Sequence, residues 1–106
     1  MDALLALLTE DATWSMPPLP NWYRGKSSIA AFLAAGPFTQ TWRHIPTQAN
    51  GQLAVAGYVR DDTGAYTAYA LDVLEVRGDR IASVAAFLSP EVFAAFGLPR
   101  NFPTDR

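Results

Sequence analysis

The chain has 106 residues with ten acidic and eight basic side chains, a formal net charge of −2 with its single histidine neutral. Hydrophobic residues make up 50% and charged ones 17%, too apolar for disorder, and the length suits one domain, 1–106. The absence of cysteine excludes disulfides, thiolate metal sites and a cysteine nucleophile, and one histidine excludes a histidine-rich metal site. The lone lysine and seven scattered arginines form no basic stripe, so no direct nucleic-acid binding is expected. No apolar run approaches the roughly 18 residues of a membrane span. The apolar start, Met1 to Leu8, lacks the basic n-region of a signal peptide.

Asp2 to Leu8 reads as a short, nearly all-apolar helix, ended by Thr9-Glu10-Asp11. Ala12 to Ser15 reads as a short strand. The stretch Trp14 to Gly25, WSMPPLPNWYRG, follows with three prolines and three large aromatics. Proline fixes φ and removes a donor, so Met16 to Pro20 is neither helix nor central strand and reads as a semi-rigid, polyproline-like loop. The stretch is either a structural corner pinned by buried rings or a recognition surface, since proline and exposed aromatics also suit binding.

Ser27 or Ser28 is expected to cap a helix whose Ile29, Phe32 and Leu33 recur at i, i+3, i+4, and Gly36-Pro37 to stop it. From Gln40 the period changes to two. Asn50-Gly51, Asp61-Asp62-Thr63-Gly64 and Arg77-Gly78-Asp79 mark three turns between four antiparallel strands, about 41–49, 52–60, 65–77 and 80–88. The Arg-Gly-Asp triplet is explained by its hairpin and needs no adhesion role. Ser89-Pro90-Glu91 caps a last helix ending at Phe96, with Gly97 as stop. The third strand is apolar on both faces: Ala70, Leu74 and Val76 on one, Tyr69, Leu71 and Val73 on the other. Such a strand is covered twice, by helices and by a second subunit or neighbouring domain. A homodimer in isolation is therefore expected.

MPPLPNWYRG, followed by an Ile-Ala-Ala-Phe-Leu helix, resembles the C-terminal SnoaL-like domain of actinobacterial extracytoplasmic-function (ECF) sigma factors, across about Asp2 to Pro103. That family belongs to the NTF2-like superfamily, which implies an α+β cone: a strongly bent antiparallel sheet packed on helices. The superfamily's first long helix is missing or truncated here. The resemblance implies a cytoplasmic, non-catalytic accessory domain that modulates transcription through sigma-factor regions or RNA polymerase. It needs no cofactor.

Asp72 is the one acidic residue in the apolar run YALDVLEV. It is a pocket-wall anchor, a catalytic acid–base group or a member of a structural pair; burial would raise its pKa. ALDVLEVRGDRIASVAAF is similar to the last two strands of ketosteroid isomerases, where the aspartate matching Asp72 is a protonated donor. The isomerase base matches Met16, which cannot accept a proton, and its tyrosine lies in the helix this chain lacks. MPPLPNWYRG is also similar to a loop of limonene-type epoxide hydrolases. Their Arg and one Asp match the uncharged Leu53–Val59 strand, and the other Asp matches Ala86. In a SnoaL-type polyketide cyclase only Asp72 could serve. The alternative function is thus a stand-alone isomerase, cyclase or hydrolase acting on a small apolar substrate through Asp72.

The pocket is expected on the concave side, lined by Trp14, Met16, Trp22, Phe32, Asp72, Val84, Ala86 and Leu88, and to take a small apolar ligand. A two-residue Gly78-Asp79 turn pairs Asp72 with Ala85; a three-residue Arg77–Asp79 loop pairs it with Val84, which the isomerase resemblance favours. One register step moves every side chain to the other face.

Overall fold

In a computed structural model the described residues are 2–17, 19–20, 22–49 and 51–103. Pro18, Asn21 and the Asn50 of the first expected turn lie outside them. The elements are α1 (Asp2–Leu7), β1 (Leu8–Ser15), β2 (Trp22–Arg24), α2 (Lys26–Ala35), a 3₁₀ turn (Pro37–Thr39), β3 (Trp42–Ala49), β4 (Gln52–Arg60), β5 (Tyr66–Arg77), β6 (Arg80–Phe87) and α3 (Pro90–Ala95). All six strands form one sheet in the order β2-β1-β6-β5-β4-β3. The α+β class expected from three turn signals is what forms, and β3 to β6 make the antiparallel meander.

The sheet is mixed, because β1 runs parallel to β6. Parallel neighbours need a long crossover, and here α2 and the strands β2 to β5 intervene. Two strand assignments differ from the sequence reading. β1 starts at Leu8, four residues early, since Leu8 pairs with Ile81. β2, unforeseen beside prolines, pairs Trp22 with Ser15 and Arg24 with Thr13.

Where an open polyproline segment is expected, the described residues close a turn: Leu19 N–H donates to Met16 O at 2.7 Å. Pro17 sits at the second position, where its fixed φ suits a turn. Its carbonyl accepts from Leu88 N–H at 3.3 Å, tying the turn to the end of β6.

Neither Ser27 nor Ser28 caps α2. Gly25 holds the capping position at φ 88, a left-handed value glycine adopts without strain. Gly36 has φ −132, so Pro37 rather than a left-handed glycine stops the helix. Ser89 sits at the N-cap of α3, but its hydroxyl donates to Glu91 Oε1 at 2.7 Å and accepts from no backbone N–H of the helix.

Two apolar clusters cover the two faces of the sheet. On one face Ile29 and Leu33 of α2 are buried against Leu8, Ala12, Trp14, Val84 and Ala86. On the other, Phe93 of α3 packs on Tyr58, Ala54, Ala56 and Leu71, with Leu98 and Phe102 of the tail alongside. The second cover of β5, expected from another subunit or domain, thus comes in part from this chain. β6 pairs no further back on β5 than Leu71, and the tail takes over: Phe102 N–H donates to Tyr66 O and Ala68 N–H to Arg100 O.

Candidate functional site

Register decides what surrounds Asp72. The Arg77–Arg80 pair closes a two-residue Gly78-Asp79 turn, with Gly78 at φ 66. An irregularity between Glu75 and Val76 then shifts the ladder by one residue. Asp72 consequently pairs with Ala86, not with the Val84 or Ala85 of the two sequence-based alternatives, and Val84 pairs with Leu74. A bulge adds a residue on one strand and so restores the parity that the short turn would have broken. Asp72 therefore stands on the α2 face, in a row with Val55 on β4 and Ala86 on β6.

The next row on that face is Tyr23–Trp14–Val84–Leu74, read off successive pairs. Phe32 of α2 closes over it, stacked on Tyr23 at 4.5 Å and tilted against Trp14 at 6.2 Å. Of the expected pocket residues, Trp14, Val84 and Ala86 are buried core, and Met16 and Phe32 are partly buried beside them. Leu88 is partly buried and anchors the proline turn through its N–H. Trp22 does not join them. It is 57% exposed, with the Arg24 guanidinium 5.5 Å from its ring. Two of the three rings in WSMPPLPNWYRG therefore pin a corner and the third faces solvent.

The carboxyl of Asp72 has no hydrogen-bond or ion-pair partner among the described residues. Burial alone pushes its pKa up from 3.8 to about 7. Neither oxygen is sealed from solvent, and the residue as a whole is only partly buried. The third option for Asp72, a structural pair, is not what forms. With its pKa near 7 the carboxyl is divided between two states at neutral pH, one that donates a hydrogen bond and one that accepts a proton.

An aromatic group missed in the sequence stands on the same face. Gly57 pairs with Ala70, and the Trp42 ring lies over Gly57 so closely that a Cβ there would meet Trp42 Cζ3 at 2.9 Å. Trp42 Nε1–H donates to Pro37 O at 2.6 Å. Its ring is parallel to His44 at 5.7 Å and meets the edge of Tyr69 at 5.5 Å. Burial lowers the His44 pKa. Tyr69 is the extra residue of a bulge between Gly57 and Tyr58, so it turns toward Trp42 and not, as alternation predicts, to the side of Leu71 and Val73. The period-two spacing of Trp42 and His44 was the available signal.

A cavity of about 370 Å3 lies on the opposite face, between β5, β6 and α3. Leu71, Val73, Ala85, Phe87, Val92 and Phe96 line it, and none of the expected pocket residues does. Its position follows from the short α3, which leaves the end of β5 uncovered.

Residues 1–84, from α1 into β6 and including Asp72, match the sequence profile of the SnoaL-like domain. The chain belongs to the SnoaL-like domain family. It is 38% identical over 104 residues to the ECF RNA polymerase sigma factor SigG of Mycobacterium tuberculosis, an alignment covering 93% of this chain and 27% of that protein. The SnoaL-like domain thus spans about a quarter of the length of the curated relatives it matches. Among solved structures, an NTF-2 like protein of unknown function from Burkholderia xenovorans superposes with a TM-score of 0.69 at 14% identity, over 96% of this chain and 73% of that one. A candidate polyketide cyclase from Xanthomonas campestris superposes with a TM-score of 0.57 at 21% identity, over 90% and 82%. These likenesses show the NTF2-like fold. No helix among the described residues is long and apolar enough to cross a membrane.

Proposed function

We propose that this SnoaL-like domain is a non-catalytic accessory domain that modulates transcription by contacting sigma-factor regions or RNA polymerase in the cytoplasm. The observation that carries the reading is the 38% identity to an ECF sigma factor along nearly the whole chain. The site chemistry supports it. Isomerisation and epoxide opening need cooperating acid–base groups, and catalytic sets lose most of their power when one member is missing. Met16 and Ala86 stand where those groups would be, and Asp72 alone has the chemistry of an anchor.

In this reading the α2 face holds a small apolar ligand, with Asp72 as its polar contact. The α3 face, where Phe96 is still 36% exposed beside the cavity, is the surface through which the isolated domain forms a homodimer. A rival enzymatic reading draws on the raised pKa of Asp72, which suits a general acid.

The test is in vitro transcription with an ECF sigma factor and its polymerase, with and without the domain, beside a turnover screen of epoxides, steroid enones and polyketide-like esters. The expected result is an altered transcript yield and no turnover. Turnover abolished by Asp72→Asn, with transcription unaffected, would overturn the reading.

A further inference from the structure

The cavity beside α3 has an apolar body and one polar end. Its floor is three successive cross-strand pairs of β5 and β6: Glu75–Ser83, Val73–Ala85 and Leu71–Phe87. Same-face residues of a strand are roughly 7 Å apart, so the floor runs about 14 Å from Glu75 to Leu71. Val92 and Phe96 of α3 form the facing wall. Gln52 joins Glu75 and Ser83 at the polar end, and both Gln52 and Glu75 are exposed, so this end is the way in.

Two of the donors at that end are already used. Ser83 Oγ–H donates to Glu75 Oε1 at 3.2 Å, and Gln52 Nε2–H donates to Leu74 O at 3.2 Å. What remains there is mainly acceptors: Glu75 Oε2, the Ser83 oxygen and the Gln52 carbonyl oxygen. Glu75 forms no ion pair among the described residues. The arginines of the same hairpin are engaged elsewhere. Arg77 lies 3.7 Å from the Asp11 carboxyl, and Arg80 lies 4.0 Å from that of Asp79 and donates to Ala6 O at 3.2 Å. No lysine or arginine lines the cavity.

We infer that this cavity binds a small cationic amphiphile, its apolar body between the β5–β6 floor and α3 and its protonated amine on Glu75. This goes beyond the proposed function and draws on neither Asp72 nor the transcriptional role. Three features select that chemistry. The volume of about 370 Å3 is the size of a small-ligand site, and burial of an apolar body against Leu71, Val73, Ala85 and Val92 supplies most of the affinity. The Phe87 and Phe96 rings favour a ring at the inner end of that body. An ammonium has three donors and no acceptor, which complements a carboxylate flanked by acceptors. An anion would meet the charge of Glu75 with no basic group to offset it.

The test is a titration of the 106-residue domain with phenylbutylamine, phenylbutanol and phenylbutyrate, one body with a cationic, a neutral and an anionic end. Methyl resonances report where they bind. Ala85 lines the cavity and its neighbour Ala86 is buried on the α2 face, so one strand carries both the reporter and its control. The expected result is a saturable shift of the Val73, Ala85 and Val92 methyls with a still Ala86 signal. The amine should bind about fivefold tighter than the alcohol, the scale of an ion pair open to solvent, and the carboxylate weakest of the three. Added salt should narrow the gap between amine and alcohol. Glu75→Gln, a change at an exposed position, should keep alcohol binding and erase the preference for the amine. No binding of any probe, equal binding of amine and alcohol to the wild type, a preference that survives in Glu75→Gln, or shifts centred on Ala86 would each overturn the inference.

Discussion

The two faces of the sheet bury polar atoms in opposite ways. On the α3 face the Tyr58 side chain is fully buried between Phe93 and Phe102, at 5.3 and 5.5 Å, and its hydroxyl donates to Pro99 O at 2.8 Å. On the α2 face Asp72 has no protein partner among the described residues, and its carboxyl is only partly open to solvent. Tyr58 is accounted for by the fold, since it joins the tail to β4 and completes a core. Asp72 has no such role in the fold, and burial disfavours its charged form. That contrast separates a polar group the fold uses from one it leaves free, and it is why the candidate site is placed on the α2 face although the cavity beside α3 lies on the other.

The largest expected effect tests whether the α3 face is a true core. Phe93→Ala removes a fully buried ring and should destabilise the domain by about 3–5 kcal/mol in urea unfolding. A loss under about 1 kcal/mol would mean that α3 and the tail are not seated as described. Tyr58→Phe sharpens the comparison by deleting only the hydroxyl. It should cost about 1 kcal/mol, because the exposed Pro99 carbonyl can turn to water once released. The smallest change belongs to the β2 edge. Trp22→Ala should move the unfolding midpoint by no more than about 0.5 kcal/mol, as expected for an exposed ring. A larger loss would show that this ring, too, holds the corner.

Turn chemistry made most of the fold legible in the sequence. Glycines at positions 51, 64 and 78 have φ of 80, 89 and 66, values that left little freedom in where the meander reverses. The apolar stripe of α2 likewise predicted its buried face, Ile29 and Leu33. What alternation could not supply was bulge position. One bulge set the partner of Asp72 and another turned Tyr69 toward Trp42, and both depend on how neighbouring strands meet. β2 was hidden because three residues among prolines carry no period. The early start of β1 was hidden because Glu10 and Asp11 are exposed positions of a strand that look like a polar helix end. The Trp42–His44–Tyr69 group became visible only when the sheet brought β3 and β5 to either side of Gly57.

The account rests on Asp72 being a desolvated, unpartnered carboxyl, and its pH linkage tests this directly. In the unfolded chain it ionises near 3.8 and in the fold near 7, so between these values the folded chain holds a proton that unfolding releases. Stability from this group is therefore intact below about pH 4 and declines as pH rises to about 7. The loss is at most about 4 kcal/mol, from roughly three units at 1.36 kcal/mol each. Urea unfolding of the wild type and Asp72→Asn at pH 4, 5.5, 7 and 8 should show the variant gaining on the wild type as pH rises, with the difference levelling off above 7. A difference that stays flat with pH, or a wild type that gains on the variant toward pH 8, would show that Asp72 is solvated or paired and would contradict the account.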